Sequence, residues 1–131
     1  MRPKSDDAPG AAATKTVPLV ALAFGRSGDK GDNSNIGVLA RKRAYLPYIR
    51  AALTPEAVGQ WFAHKFKGGR PRVERFDLPG VGAVNFLLYN ALGGGGVASL
   101  AFDPQGKAYA QMLLEYPVPV PEAIAREVKS A

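Results

Sequence analysis

Two rhythms of apolar and polar positions alternate along this chain, and the points where they switch divide it into elements. Val17-Pro18-Leu19-Val20-Ala21-Leu22-Ala23-Phe24 is a continuous apolar run of strand length, with Pro18 near its start, where a missing amide donor is tolerated. Ile36-Gly37-Val38-Leu39-Ala40 is a second run, too short for periodicity to separate a strand from the first turns of a helix. Residues 45–66 take the helical rhythm in two pieces. Leu46, Ile49 and Leu53 share a face, and Thr54-Pro55-Glu56 restarts the helix with a cap, a first-turn proline and an acid at the positive end. Val58, Trp61, Phe62 and Phe66 continue the apolar stripe. Residues 72–78 alternate, as a half-exposed strand does, and meet their core through Val73, Phe76 or Leu78. Residues 84–89 and 97–102 read as two more strands, and 107–115 as a helix after the turn Asp103-Pro104-Gln105-Gly106. Residues 116–121 are extended, 122–129 have the spacing of a short amphipathic helix, and no internal repeat is present.

The stretch between the first two apolar runs is Arg26-Ser27-Gly28-Asp29-Lys30-Gly31-Asp32-Asn33-Ser34-Asn35. Because it leaves an apolar run directly, it reads as a glycine-punctuated loop at the end of a strand, carrying more polar groups than a plain turn needs. One reading makes it a ligand loop. Arg26, Ser27, Lys30 and the amides around Gly28 and Gly31 would hold an anion, Asn33 and Asn35 would add amide groups, and Asp29 or Asp32 would orient the ligand or move a proton. The other reading makes Asp29, Asp32 and Asn33 caps for turns and for one another's backbone. The spacing is not that of a phosphate-binding Gly-x-x-x-x-Gly-Lys-Ser/Thr loop, since Asp32 follows Gly31, and there is no Gly-x-Gly-x-x-Gly fingerprint. The aspartates supply hard oxygen donors, but no calcium loop closed by a glutamate is present, and no metal or other cofactor is expected. The single histidine, His64, lies between Phe62 and Phe66 at a packing position of the expected helix, and Ser27 and Ser34 have no evident base. A second constellation is Gly93, Gly94, Gly95 and Gly96, preceded by Asn85 and Asn90. It is a flexible hairpin tip or, if it emerges at the same sheet end as the polar loop, the other wall of a cleft.

Composition narrows these readings. The 131 residues suit one domain, and an apolar fraction of 47% supplies a modest core. With no cysteine, disulfides, thiolate metal sites and a cysteine nucleophile are excluded, which fits a reducing, cytoplasmic setting. Residues 1–16 hold no continuous apolar stretch of signal-peptide type, and residues 17–24 are too few to span a bilayer, so no membrane partner is expected. The net charge is +6, and nine of the basic residues fall between Arg41 and Arg75 against only Glu56 and Glu74. That segment is a surface for an anionic ligand or acidic partner, or simply a solvated helix face and basic connection. Nucleic acid is disfavoured, for there is no zinc-finger spacing, aromatic-interleaved motif or continuous basic helix.

Residues 1–15 have the composition of a disordered leader, 16–118 form the domain, and 119–131 are a tail with a short helix. The order of strands with two helix-bearing connections predicts an α+β fold. The candidate is a ferredoxin-like sandwich, an antiparallel or mixed sheet with helices packed on one face.

The runs Arg26-Ser-Gly-Asp-Lys-Gly-Asp-Asn-Ser-Asn-Ile-Gly-Val-Leu-Ala-Arg41 and Asn85-Phe-Leu-Leu-Tyr-Asn-Ala-Leu-Gly-Gly-Gly-Gly-Val-Ala-Ser-Leu100 are followed by Asp103-Pro104-Gln105-Gly106-Lys107. Together they resemble the small ferredoxin-fold domain of the acyclic terpene utilisation protein A (AtuA) family, over about residues 17–118. The resemblance implies a domain that commonly follows a large one and also occurs as a separate small protein, partner to the large chain. It also implies a setting of acyclic terpene catabolism, which runs through acyl-CoA thioesters, and it brings no assigned catalytic residue. The expectation is a small accessory subunit that binds a large AtuA-like partner and helps form an acyl-CoA or carboxylate substrate site. That makes it a subunit of a hydratase- or lyase-type enzyme more than an enzyme alone. The alternatives are a stand-alone homo-oligomeric hydratase or lyase built on the Gly/Asp-rich loop, and a purely structural interaction module.

Overall fold

The computed structural model describes residues 13–66, 71–89, 91 and 105–130. In it the first apolar run does not make one strand. Strand β1 (Ala13–Pro18) takes in the last residues of the expected leader and ends at Pro18, and a single 3-10 turn over Leu19–Ala21 redirects the chain. Leu19 and Leu22 point into the core from this bend, so the run is apolar because it rounds a buried corner. Strand β2 (Ala23–Lys30) then carries the first half of the polar stretch. Gly31 and Asp32 reverse the chain into β3 (Asn33–Ala40), antiparallel to β2 from Lys30↔Asn33 at the tip to Ala23↔Ala40 at the base. Gly31 has φ 64°, the positive value that both tight two-residue hairpin turns require at their first central position. The polar stretch is therefore a hairpin, not a loop, and the ambiguous run at 36–40 is the second half of β3.

The helical segment divides as its spacing predicts, into α1 (Leu46–Ala52) and α2 (Pro55–Phe66). Thr54 Oγ1 accepts the Ala57 amide at 3.0 Å, satisfying one of the free donors of the first turn. The chain then forms β4 (Arg72–Leu78), a 3-10 turn over Pro79–Val81, β5 (Ala83–Tyr89), α3 (Gln105–Leu113), β6 (Pro117–Pro121) and α4 (Glu122–Ser130). Residues 1–12, the connection 67–70, Asn90, the four glycines 93–96 and the expected strand 97–102 lie outside the described residues.

Among the described residues, the strands form a four-stranded antiparallel sheet in the order β2-β3-β5-β4 and a separate β1–β6 ladder. β3, the α1–α2 pair and β4 make a split βαβ unit with β5 inserted between its strands, the core of a ferredoxin-like fold. The outer place beside β3 is filled by β2, from the N-terminal side. β6 carries prolines at alternate positions, so their missing donors fall on one edge of the ladder while Val118 and Val120 are buried.

Helices α2 and α3 cover one face of the sheet. Beneath them lie Ile36, Val38, Val84, Phe86 and Leu88, packed against Val58, Phe62, Tyr109 and Leu113. Phe62 stacks on Tyr109 at 5.2 Å. Trp61 Nε1 donates to the Met112 carbonyl at 3.0 Å, and the Val20 amide to the Leu114 carbonyl at 3.0 Å, so other elements satisfy the end of α3. At the end of α1, Arg75 Nη1 donates to the carbonyls of Arg50 at 2.9 Å and Leu53 at 3.1 Å. Lys42 pairs with Glu127 of α4, which raises the Lys42 pKa and lowers that of Glu127.

One expectation for β4 is corrected. Val73 packs against the core, but the register with β5 sets Phe76 and Leu78 on the opposite face, 46% and 48% exposed. The inward places alongside Val73 go to Arg75 and Asp77, which pair at 3.0 Å.

Two measurements test this framework. Gly31→Ala puts a Cβ into a left-handed position and is expected to cost about 1–2 kcal/mol in chemical denaturation. Tyr109 donates to the Ala91 carbonyl at 2.6 Å, and burial pushes its pKa up to about 12. An unfolded tyrosine ionises near about 10, so the unfolded chain sheds its proton first. Tyr109 therefore contributes stability that is complete below that pH and is lost as pH rises towards 12. Denaturation curves across this window are expected to lose part of their pH slope in Tyr109→Phe.

Candidate binding site on the open sheet face

Antiparallel pairing turns alternate residues to opposite faces of the sheet. On β3, Ser34, Ile36 and Val38 are buried under the helices, so their partners Asp29, Ser27 and Gly25 share that face. The other face carries Phe24, Arg26 and Gly28 from β2, with Asn33, Asn35, Gly37 and Leu39 from β3. Ala83, Asn85 and Leu87 of β5 join them. Among the described residues this face is open.

The register arranges it in rows across the strands. Phe24, Leu39, Ala83 and Leu78 form an apolar row whose three large side chains are 52%, 43% and 48% exposed. The next row is Arg26, Gly37, Asn85 and Phe76, and the third is Gly28, Asn35, Leu87 and Glu74. Gly28 and Gly37 have no side chains to fill the surface, and a trough of ≈ 500 Å³ opens over them, bordered by Arg26, Asn33, Asn35 and Asn85. A second depression of ≈ 300 Å³ lies over the apolar row and meets the first at Arg26, Gly37 and Asn85. Asn85 leans over Gly37, its Oδ1 3.6 Å from where a β-carbon on that glycine would stand.

Three polar side chains of the trough are uncommitted. Among the described residues the side chains of Arg26, Asn35 and Asn85 have no hydrogen-bond or ion-pair partner. The neighbouring cations are engaged. Arg41 lies 4.0 Å from the Phe24 ring centre and donates from Nε to the Val20 carbonyl at 3.0 Å. Arg72 lies 4.0 Å from the Tyr89 ring centre, and the Tyr89 hydroxyl donates to Glu74 at 2.7 Å. That hydrogen bond, followed by desolvation, raises the Tyr89 pKa. A free guanidinium fork beside two amides is suited to a planar anion such as a carboxylate.

The residues singled out from the sequence thus divide. Arg26, Gly28, Asn33, Asn35 and Asn85 come together on the open face. Ser27 borders the trough but faces the helices, where its Oγ accepts the Ala110 amide of α3 at 3.1 Å. Asp29 also borders the trough, although its register partner is buried Ser34, and Asp32 is exposed in the turn. Gly31 serves the turn, and Lys30 closes the hairpin as the register partner of Asn33. Gly93, Gly94, Gly95 and Gly96 lie outside the described residues. Sequence reasoning missed Gly37 and the apolar row. The shared parity of Phe76 and Leu78 was a usable sign of the latter. Among the described residues no cluster of His, Asp and Glu could hold a metal ion, and no helix is long and apolar enough to cross a membrane.

The fold defines a class: an α+β domain of ferredoxin-like architecture, with one face of its main sheet covered by helices and the other open among the described residues. Residues 17–119 match the AtuA ferredoxin-like domain, and the chain belongs to that family. No curated protein matches it.

The two sides of the polar motif have different expected costs. Ser27→Ala removes the acceptor of the Ala110 amide and should lower stability by about 1 kcal/mol. Asp29→Asn and Asp32→Asn, at exposed positions, should each stay within about 0.5 kcal/mol of wild type in the same denaturation assay.

Proposed function

We propose that this chain is the small subunit of a two-component AtuA-type assembly. Its open sheet face seats on a larger AtuA-like chain, and the polar half of that face helps form a site for an acyl-CoA thioester or carboxylate substrate. The larger chain carries the rest of a hydratase- or lyase-type site. One observation carries this reading: the half-exposed row of Phe24, Leu39 and Leu78 adjoins an unpartnered Arg26, Asn35 and Asn85 on one face. Contiguous exposed apolar side chains rimmed by polar groups mark interaction sites. A cover supplied by a partner would withdraw the row from water, and it would dry the surroundings of the guanidinium, where its attraction for an anion strengthens.

Charge argues against a second copy as that cover. Arg26 lies on the open face, and Arg41 and Arg72 stand over its Phe24 and Tyr89, so two copies face to face would oppose like charges.

Co-expression with a large AtuA-like chain and size-exclusion chromatography test the reading. Wild type is expected to co-elute with the larger chain. Leu39→Asp and Leu78→Asp should each weaken the complex at least about tenfold, since each places an unpaired charge in a covered apolar row. Both variants should keep the melting temperature of the isolated chain within a few degrees. Undiminished co-elution of both would show that the open face is not the docking surface.

A further inference from the structure

We infer that the trough is a receptor for a free carboxylate bearing a short aliphatic chain, with the carboxylate at Arg26, Asn35 and Asn85 and the chain laid over part of the Phe24, Leu39 and Leu78 row, between that row and the cover the larger chain would supply. This rests on the reading of the open face as part of a substrate site, and it chooses the acid over its thioester. The structure supports it in three steps.

First, the two depressions are one continuous surface, polar over Gly28 and Gly37 and apolar over Leu39 and Ala83, joined at Arg26, Gly37 and Asn85. A ligand that fills both has a polar head and an apolar tail in a fixed order. Second, the head is anionic. The Arg26 guanidinium has no counter-ion among the described residues, and its fork matches the two oxygens of a carboxylate. A thioester offers one neutral carbonyl oxygen, which an asparagine amide can serve while Arg26 stays unpaired. Of the acids near the trough, Glu74 of its third row is held by Tyr89, and Asp29 at its border is the register partner of Ser34 on the helix side. Third, the spacing sets a length. Successive rows on one face of a strand are about 7 Å apart, so a chain of about six carbons reaches from the Arg26–Asn85 row across the apolar row.

The isolated full chain, labelled with 15N and with 13C methyl groups, tests this by NMR titration at pH 7. The probes are hexanoate, hexanamide, acetate and hexylamine. Hexanoate is expected to shift the Arg26 Nε–H, the side-chain amides of Asn35 and Asn85, and the methyls of Leu39 and Leu78, in one saturable step. Acetate should bind about tenfold more weakly, because it forgoes the partial burial of four methylenes. Hexanamide should be weakened at least as much for want of charge, and hexylamine should leave the three polar signals unmoved. Arg26→Gln should abolish the hexanoate response while keeping the melting temperature and the complex with the larger chain. Equal responses to hexanoate and hexanamide, unmoved leucine methyls, or an undiminished response in Arg26→Gln would each overturn the inference. The titration needs no partner, so its failure is distinct from failure of docking. A complex without a hexanoate response refutes the receptor alone, and a response without a complex refutes the docking alone.

Discussion

The register of the β2–β3 hairpin, set where Gly31 and Asp32 reverse the chain, is the constraint on which both faces of this sheet depend. A slip of one residue would turn Ile36 and Val38 to solvent and drive Asn35 and Gly37 beneath the helices. Full burial of one such aliphatic side chain is worth about 1.5–3 kcal/mol, so the core alone penalises the slip by several kcal/mol. The turn enforces the same answer locally, because Gly31 adopts the positive φ that a two-residue reversal needs. β2 adds little apolar surface of its own. It is held by its ladder to β3 and by α3, through the Ser27 hydroxyl and the close approach that Gly25 permits, since a β-carbon there would stand 3.2 Å from Leu114 Cδ2. The polar motif therefore has two faces with separate tasks: one fastens a helix, and the other is left free.

That division explains which parts of the fold could be read from the chain. The α1–α2 break was legible because helix signals are local. Thr54 caps, Pro55 suits the first position, and the apolar stripe has the right period whatever lies opposite. β2 was not legible because its inward positions are Gly25, Ser27 and Asp29, which give no apolar alternation. It is a strand because β3 and α3 make it one. The run at 17–24 misled for the opposite reason. It is apolar throughout, and the bend at Leu19–Ala21 buries Leu19 and Leu22 from a corner, a geometry that apolarity alone does not distinguish from a strand.

The candidate site was half visible on the same grounds. Arg26, Asn35 and Asn85 stand out because polar side chains with no structural task attract notice in any sequence. Their convergence does not, since it depends on pairing β2 with β3 and β3 with β5. The apolar row is harder still. Phe24, Leu39 and Leu78 come from three strands; Phe24 and Leu39 follow the core residues Ala23 and Val38 directly, and only register separates the exposed members from the buried ones. Gly37 was hidden inside an apolar run, although its missing side chain makes the floor of the trough.

An exposed apolar row on a small domain is a hazard unless something restrains self-association. Here the restraint and the recognition chemistry come from the same residues. Arg26 stands one row from Phe24 and Leu39, and Arg41 stacks on Phe24 itself, so an approaching copy would bring guanidinium against guanidinium before any apolar contact could form. Repulsion between like charges grows as the surface between them dries, so the penalty rises as two such faces close on each other. Placing the cations beside the apolar row, instead of on the far helices, thus makes a face that opposes its own copy.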